Sequence, residues 1–331
     1  MYRILHAGLG PLGIRIIQDL YKRKLGTVIA AVDINPQYVG KKLSEIVPGI
    51  DCDVRVMASL DDYSAWDQTD AALVTTSSDL RKCAETFRQL LPHQEAVITT
   101  CEEAVWPWLR HQALADELDT LCKKHNSKLL GTGVNPGAMM DMVPVFATCV
   151  CQSVKKIEIH RIQDATSRRI PFQKKIGATL DDAAFAAGVK AGWLRHVGLG
   201  ESLHFVANAM GWTIDSWHET IEPIKAEHDM TCGLGPIKKG DACGVYQTAS
   251  AMSSGSEVIK MVFRAAIGHA DPQDRVIVTG DPGVDMVYKG GVHGDVATSA
   301  MTLNSIASLL AAKPGLHTMG TIPLVRCTPT R

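Results

Sequence analysis

Three glycines near the start of the chain have the spacing of a phosphate-binding turn. Gly8, Gly10 and Gly13 form a GxGxxG motif between a short apolar run and residues with helical periodicity. The first glycine permits a tight turn, the second lets the backbone approach a pyrophosphate, and the third lets the helix pack on the strand. N–H groups at the helix N-terminus add positive potential. The motif predicts dinucleotide binding, with Pro11 and Leu12 beside the cofactor.

An aspartate follows at the distance expected for ribose recognition. Asp33 closes the next apolar run and lies twenty residues after Gly13. Its carboxylate can accept hydrogen bonds from the adenosine ribose and would repel a 2′-phosphate. Lys41 and Lys42 lie a short way downstream and could reach such a phosphate. The sequence therefore predicts NAD as the cofactor and leaves NADP open.

Polar residues end two further predicted strands. Thr75, Thr76 and Ser77 end one apolar run and begin a helical segment, whereas Thr100 and Cys101 end the next run. Ligands of open α/β sheets bind beyond the carboxyl ends of the strands, so all five residues are predicted to contact the cofactor. The hydroxyl groups could equally cap the following helix, and both roles are compatible.

Two adjacent carboxylates follow directly after Cys101. Glu102 and Glu103 are predicted to lie at the nicotinamide side of the same crevice, where either could carry a proton. The alternative is that both are first-turn helix residues stabilised by the helix dipole, which fits Glu103 well.

The elements that must position these residues alternate regularly in the first half of the chain. Apolar runs and helical segments alternate there, which predicts a Rossmann-type, doubly wound parallel sheet over residues 1–140. From residue 154 onwards the strands are longer and more polar, which predicts a second α+β domain with a mostly antiparallel sheet over residues 141–296. An apolar helix at about 297–312 is expected to pack back on the first domain.

Composition excludes several classes of protein. The chain has 331 residues and a formal net charge of −1, so it has no basic excess for nucleic acid or an anionic membrane. Its apolar stretches are too short for a membrane span. Nine cysteines and twelve histidines show no metal-binding spacing, and no secretory signal precedes the first strand. These features predict a cytoplasmic, metal-free globular protein with free thiols.

Several later motifs resemble the 2,4-diaminopentanoate dehydrogenase family, which includes native amine dehydrogenases and has an N-terminal domain similar to that of dihydrodipicolinate reductase. The motifs are residues 99–103 (TTCEE), 131–137 (GTGVNPG), 163–169 (QDATSRR) with 175–177 (KIG), 197–202 (VGLGES) and 291–295 (GVHGD). The resemblance spans nearly the whole chain. It implies NAD(P)-dependent oxidative deamination of an amine, or reductive amination of a small ketone or aldehyde with ammonia, by a homodimer.

The resemblance also implies an acidic catalytic residue, which falls on Glu102, with Glu103 as the second candidate. Ammonia is mostly ammonium at neutral pH, so a nearby carboxylate can bind it and take its proton. The same group can then protonate the departing hydroxyl of the carbinolamine. The resulting iminium carbon accepts the hydride from the nicotinamide.

The remaining candidates are predicted to bind substrate: Asn135, Pro136, Met139, Met140, Arg161 and His293. Met139, Met140 and Trp193 suggest an apolar pocket and hence a simple aliphatic substrate. Each polar candidate has a plainer alternative, since Asn-Pro forms turns, an arginine is often ion-paired, and a lone histidine is often a structural hydrogen-bonding residue.

Three functions remain open. An amine dehydrogenase would use Glu102. A 2,4-diaminopentanoate or other amino-acid dehydrogenase would need a cation for the substrate carboxylate, for which Arg161 is the evident candidate. A non-catalytic NAD(H) sensor would keep the glycine turn and be indifferent to Glu102. The strand at residues 157–164 lacks the paired histidines of dihydrodipicolinate reductase, and a homoserine dehydrogenase-type lysine is missing where Glu102 stands.

Overall fold

A computed structural model describes residues 1–328 of the chain. The strands are β1 Tyr2–Ala7, β2 Gly26–Val32, β3 Val56–Met57, β4 Ala71–Val74, β5 Ala96–Thr99, β6 Lys128–Gly131, β7 Ser153–Asp164, β8 Ser216–Lys225, β9 Met230–Cys232, β10 Gly235–Ile237, β11 Ala242–Ser253, β12 Ser256–Ala266, β13 Gln273–Asp281, β14 Val284–Lys289 and β15 Gly315–His317. The α-helices are α1 Pro11–Lys22, α2 Leu43–Ile46, α3 Leu80–Leu90, α4 Trp108–His125, α5 Met142–Ala147, α6 Ile170–Lys175, α7 Asp182–Lys190, α8 Leu199–Ala209 and α9 Gly294–Leu310.

The chain divides into two compact units. Unit 1 comprises residues Met1–Ala138 together with the segment that begins at His293, and unit 2 comprises Met139–Val292. Among residues 1–328, no helix combines the length and apolarity that crossing a bilayer requires. Nor do the His, Cys, Asp and Glu side chains of these residues form any group of three or more that could hold a metal ion.

Unit 1 contains a seven-stranded parallel sheet in the order β15-β6-β5-β4-β1-β2-β3. Every residue of β4, β5 and β6 is buried, as expected for strands that are covered on both faces. The predicted doubly wound sheet is confirmed. Strands β3 and β15 were not predicted, because two or three residues are too few to show a periodic pattern.

Helix α9 packs on α1 within unit 1, where the Ser299 hydroxyl donates to Asp19 at 2.7 Å. Thr302 and Ser305 donate to backbone carbonyls of the preceding turn, of Thr298 at 2.9 Å and of Met301 at 2.7 Å, and Ser308 donates to the carbonyl of Leu324 at 3.2 Å. A helix rich in Ser and Thr can therefore be buried without leaving these hydroxyls unsatisfied.

Unit 2 contains a six-stranded sheet in the order β14-β13-β7-β12-β11-β8. Only the β7–β12 pair is parallel, so the prediction of a mostly antiparallel sheet is confirmed. Helix α8 packs on β11 and β12, and α5 packs on β13. The edge strands β8 and β14 were not predicted, because polar and charged residues interrupt their apolar pattern.

Candidate active site

The glycine turn of unit 1 links β1 to α1 and needs glycine for steric reasons. Gly8 has φ +97°, and a Cβ atom there would lie 2.8 Å from the carbonyl carbon of Thr75. A Cβ atom on Gly13 would lie 2.1 Å from the carbonyl oxygen of Gly8. The turn and the first turn of α1 therefore pack backbone against backbone, which excludes larger residues at both positions.

Gly10 differs because the space around it is open. It is the N-cap of α1, with Pro11 at the first helical position, and a Cβ atom on Gly10 would meet nothing within 4 Å. The backbone N–H groups of Gly10, Leu12 and Gly13 lie in this first turn, at the positive end of the helix dipole, whereas Pro11 has none. The turn is thus a cradle that a pyrophosphate can approach closely, so the residues present fit a dinucleotide. Leu12 is half-buried on the same turn.

A buried histidine, which was not predicted from the sequence, forms hydrogen bonds with this turn. His6 is fully buried in β1, and its Nε2 lies 3.1 Å from the carbonyl oxygen of Gly8 and 3.3 Å from the Thr75 hydroxyl. Burial lowers the pKa of His6 to about 4, although the hydrogen bond to Gly8 opposes the shift. His6 is therefore neutral at physiological pH. A histidine in an apolar strand directly before a GxGxxG motif was the available signal.

Asp33 follows β2 and anchors two backbone segments. One carboxylate oxygen accepts the N–H of Leu9 at 2.5 Å, and the other accepts the N–H of Asn35 at 2.8 Å. These bonds fix the carboxylate beside the glycine turn, where its remaining lone pairs can accept ribose hydroxyls. Lys42 binds Asp53 at 2.6 Å, and neither Lys41 nor Lys42 lines the cleft described next.

A cleft of about 490 Å³ opens between the glycine turn and α3. Ala58, Ser59 and Leu60 after β3 form part of its wall, and one face of α3 forms another part. Sequence reasoning missed these residues because the cofactor motif covers only the β1–α1–β2 segment. The lining residues are Ala7, Gly8, Gly10, Val32, Asp33, Ile34, Ala58, Ser59, Leu60, Thr75, Thr76, Lys82, Thr86 and Gln89.

The polar residues after β4 and β5 take different positions. Thr75 and Thr76 line the cleft, and the Thr75 hydroxyl donates to the Gly8 carbonyl at 2.7 Å. The Ser77 hydroxyl instead accepts the N–H of Asp79 at 3.1 Å, just before α3. The Thr75 and Ser77 side chains therefore hold local turns, but the cap of α3 is Asp79 and not one of these hydroxyls, so the capping alternative was wrong in this detail. Thr75 and Thr76 also line the cleft.

Thr100 and Cys101 do not line that cleft. The N–H of Thr100 donates to the carbonyl of Val74 at 3.1 Å. Cys101 is fully buried, and its thiol donates to the carbonyl of Ser78 at 3.2 Å. A contact with the cofactor at these positions would have to use their backbone, since the Cys101 side chain belongs to the core of unit 1.

The two glutamates lie in one 3-10 turn, Glu102–Val105, but differ in their contacts. Glu103 accepts the N–H of Leu80 at 2.9 Å and pairs with His111 Nε2 at 2.8 Å. Its carboxylate thereby satisfies the start of α3 and holds α4 at a kinked residue, where φ is −138°. The structure thus gives Glu103 a structural role between α3 and α4, which differs from the predicted stabilisation by the dipole of its own helix. Glu102 is half-buried at the first position of the turn.

The loop after β6 contains a polar group without a partner. The peptide bond between Asn135 and Pro136 is cis, and both polar atoms of the Asn135 amide are buried without a hydrogen-bond partner among the described residues. Such a group is costly unless a ligand satisfies it.

His293 is the N-cap of α9, where its Nδ1 accepts the N–H of Val296 at 3.5 Å, so its imidazole has the structural role given above as the alternative.

Arg161, on β7 of unit 2, lies in a buried ion pair. Its guanidinium donates to Asp274 at 2.7 Å and to the carbonyl of Val292 at 2.9 Å, while the N–H of Val292 donates back to Asp274 at 2.7 Å. Burial lowers the pKa of Arg161 and raises that of Asp274, against their mutual attraction. The pair thereby holds Val292, the last residue of unit 2. This contact is structural, and substrate binding by Arg161 stays a prediction.

The interior of unit 2 is more polar than expected. Met139 and Met140 are buried as predicted for apolar residues, but Trp193 is 44% exposed. His196 stacks on Phe263 with ring centroids 4.5 Å apart, and its Nε2 is buried without a partner in the described part of the chain. Burial, with Lys175 and other cations nearby, keeps the pKa of His196 well below its usual value, so the ring is neutral.

The side chain of Gln247 fixes the backbone of His196. Its amide oxygen accepts the His196 N–H at 2.7 Å, and its amide nitrogen donates to the His196 carbonyl at 3.0 Å and to Glu219 at 2.6 Å. Glu219 also accepts from Arg195 at 2.8 Å. An imidazole this firmly positioned, with an unused nitrogen, can offer a hydrogen bond to a ligand.

The chain is similar to several known dehydrogenases. Residues 138–330 match the family model of the 2,4-diaminopentanoate dehydrogenase C-terminal domain. A 2,4-diaminopentanoate dehydrogenase of Acetoanaerobium sticklandii is 29% identical over 98% of this chain and 94% of its own length. An amine dehydrogenase structure from Mycobacterium smegmatis has a TM-score of 0.87 at 20% identity, covering 100% of this chain and 98% of its own. A probable dehydrogenase from Thermotoga maritima has a TM-score of 0.55 at 13% identity, covering 96% and 92%.

Proposed function

This chain belongs to the 2,4-diaminopentanoate dehydrogenase family, and from that premise we propose that it reductively aminates a small ketone or aldehyde with ammonia and NAD(P)H, and catalyses the reverse deamination. The chain is a dehydrogenase that acts on amino groups and uses a nicotinamide dinucleotide. The observation that carries the catalytic proposal is the position of Glu102. It is half-buried and begins the turn that follows β5, beyond the carboxyl end of a parallel strand, where ligands of such sheets bind.

The cofactor is assigned to unit 1. The glycine turn would hold the pyrophosphate, Asp33 would accept the ribose hydroxyls, and Thr75 and Thr76 would border the cofactor in the cleft. When bound, the nicotinamide supplies or accepts the hydride. The Asp33 carboxylate favours NAD, in line with the sequence prediction.

Glu102 is assigned the proton transfers. Its carboxylate takes a proton from ammonium, which frees the nitrogen lone pair to attack the substrate carbonyl. The protonated Glu102 then gives this proton to the hydroxyl of the carbinolamine, which leaves as water and produces the iminium ion. Hydride addition to that carbon completes the amine. A group that both takes and returns a proton explains why a carboxyl suits this position.

A second candidate substrate is a more polar one, such as the amino acid named for the Acetoanaerobium relative. Two observations favour it over a simple aliphatic ketone. The first is that both polar atoms of the Asn135 amide are buried without a hydrogen-bond partner among the described residues, and an aliphatic substrate at the end of β6 would leave them unsatisfied. The second is that a carboxylate or second amino group could satisfy them. We propose Asn135, Pro136, Met139 and Met140 as substrate residues, together with Arg161 beside its ion pair with Asp274.

The surroundings of the reaction are also part of the proposal. We propose a cytoplasmic homodimer that takes free ammonia and a small carbonyl compound or amine, with neither nucleic acid nor a membrane as a partner. The balanced charge of the chain supports the part of this proposal that concerns nucleic acid and membranes.

The test is NADH oxidation with a panel of ketones and 4-oxo amino acids, with and without ammonia. Glu102→Gln should lower the turnover number at least about 100-fold, the usual size of a general acid–base contribution, and leave the Kd for NADH unchanged. The matched control is Glu103→Gln. This variant should lower the melting temperature and largely keep the turnover number. Turnover without ammonia would refute the amination, full activity of Glu102→Gln would refute the proton shuttle, and no turnover on any carbonyl would favour the NAD(H) sensor.

A further inference from the structure

The unit 1 cleft pairs one acid with one base. Among its lining residues within positions 1–328, Asp33 and Lys82 are the only charged side chains. Asp33 follows β2, whereas Lys82 lies in the first turn of α3. No signal in the glycine motif predicts Lys82, because it lies far along the chain from Asp33. The cleft nevertheless presents both charges to whatever fills it.

The acids near Lys82 on its own helix have other partners. Asp79 caps α3 by accepting the N–H of Arg81 at 2.9 Å and that of Lys82 at 3.4 Å. Glu85 pairs with Arg88 at 3.6 Å. Within residues 1–328, the Lys82 ammonium forms no ion pair, and the residue is exposed. Its charge is therefore available to a ligand in the cleft.

Asp33 is also less repulsive to an anion than a bare carboxylate would be. Both of its oxygens accept backbone N–H groups, from Leu9 and from Asn35. These dipoles offset part of its negative charge, and they keep the carboxylate facing the glycine turn. The Ser59 hydroxyl and the Gln89 amide nitrogen of the lining both donate to Asp61, at 2.9 Å and 3.3 Å, so Lys82 is the main cationic donor that the cleft offers to an anion.

We propose that Lys82 binds the 2′-phosphate of NADP(H), so that the cleft accepts this cofactor as well as NAD(H). The inference rests on the proposed function, since it concerns the same cofactor site. Lysine is a point-charge ligand for phosphate, and an ammonium-to-phosphate contact is among the stronger hydrogen bonds. Lys82 makes no such contact with NAD, which has a ribose hydroxyl in place of the phosphate. Lys82 is thus a specificity residue that opposes the preference set by Asp33.

The test is calorimetric titration of the full-length apoenzyme with NAD⁺ and with NADP⁺. Lys82→Gln should raise the Kd for NADP⁺ at least about tenfold and that for NAD⁺ less than threefold, and Asp33→Asn should lower the Kd for NADP⁺. The control Lys42→Gln removes the same charge outside the cleft, where Lys42 binds Asp53, and should change neither Kd.

Two results would overturn this inference alone. One is an equal effect of Lys82→Gln on both cofactors, or no effect on either. The other is a wild-type protein that binds NAD⁺ but not NADP⁺. Failure of the wild type to bind NAD⁺ would instead refute the proposed function. Raising the salt concentration supplies a second readout, because it should weaken NADP⁺ binding more in the wild type than in Lys82→Gln.

Discussion

The two units bury polar side chains for different purposes. In unit 1, His6 and Thr75 hold the backbone carbonyl of Gly8, so buried polar groups shape a turn. In unit 2, Arg161 and Asp274 bind each other from β7 and β13, so buried polar groups join strands. Buried polar groups thus shape a backbone turn in the first unit and place side chains in the second.

The difference follows from the two sheets. In the parallel sheet of unit 1, the neighbouring strands β1 and β4 end at the same edge. The turns that follow these strands therefore lie close together. In unit 2, Gln247 on β11 reaches the backbone of His196 and the side chain of Glu219 on β8. Antiparallel neighbours bring long polar side chains together along the strands, so polar networks form within the sheet layer rather than at its end.

The largest effect that tests this comparison is expected in unit 2. Asp274→Ala would leave the Arg161 guanidinium buried without its carboxylate and should reduce the free energy of unfolding by about 3–5 kcal/mol. Hydrogen exchange of unit 2 peptides, read by mass spectrometry, measures this loss separately from unit 1. The double variant Arg161→Met with Asp274→Leu is the control and should recover most of the stability. A loss below about 1 kcal/mol in Asp274→Ala would show that the pair does not organise the unit.

The second test lies in the glycine turn of unit 1. Gly13→Ala places a Cβ atom 2.1 Å from the Gly8 carbonyl oxygen and should cost about 2–3 kcal/mol, as overpacking does, with loss of NADH binding. Gly10→Ala meets nothing within 4 Å, so it should keep the melting temperature and weaken only NADH binding. Thermal unfolding and NADH fluorescence titration distinguish the two. Equal melting temperatures for both variants would contradict the backbone packing described here.

The smallest effect is a pH dependence from His6. Its pKa is about 4 in the folded protein against 6.5 in the unfolded chain, so the unfolded chain binds more protons between these values. The stabilisation by neutral His6 is therefore complete above pH 6.5 and is lost as the pH falls towards 4. Between pH 7 and pH 5 the loss is about 2 kcal/mol, given about 1.36 kcal/mol per pKa unit.

The contribution of His6 can be separated from those of other groups by substitution. His6→Asn should flatten the dependence of unit 1 protection on pH, as measured by hydrogen exchange at pH 7 and pH 5. His196 has a lowered pKa for the same reason, so unit 2 should keep its own dependence in that variant. An unchanged slope for unit 1 in His6→Asn would show that His6 is not the titrating group.

The cofactor motif was predictable because its physics is local. Gly8, Gly10 and Gly13 lie within one turn, and their spacing alone indicates glycine there, for steric reasons at Gly8 and Gly13 and for an open backbone surface at Gly10. The order of apolar runs likewise predicted the parallel sheet. Lys82 was not predictable, because it reaches the cleft only when α3, which follows β4, folds to the same cleft as the segments after β1, β2 and β3.

The glutamates show the same limit more sharply. Their sequence position could place both at the end of β5, but not distinguish them. Glu103 was assigned to α3 by its contact with Leu80, twenty-three positions away, and to α4 by its contact with His111. Arg161 similarly acquired a partner 113 positions away.

The doubly wound fold, the glycine turn and the aspartate beside it could be inferred from the sequence, because each depends on periodicity or on groups close along the chain. Tertiary packing alone joined Glu103 to α3 and α4, paired Arg161 with Asp274 and brought Lys82 to the cleft. Those assignments depend on distances between residues far apart along the chain, and strand order and helix packing set such distances.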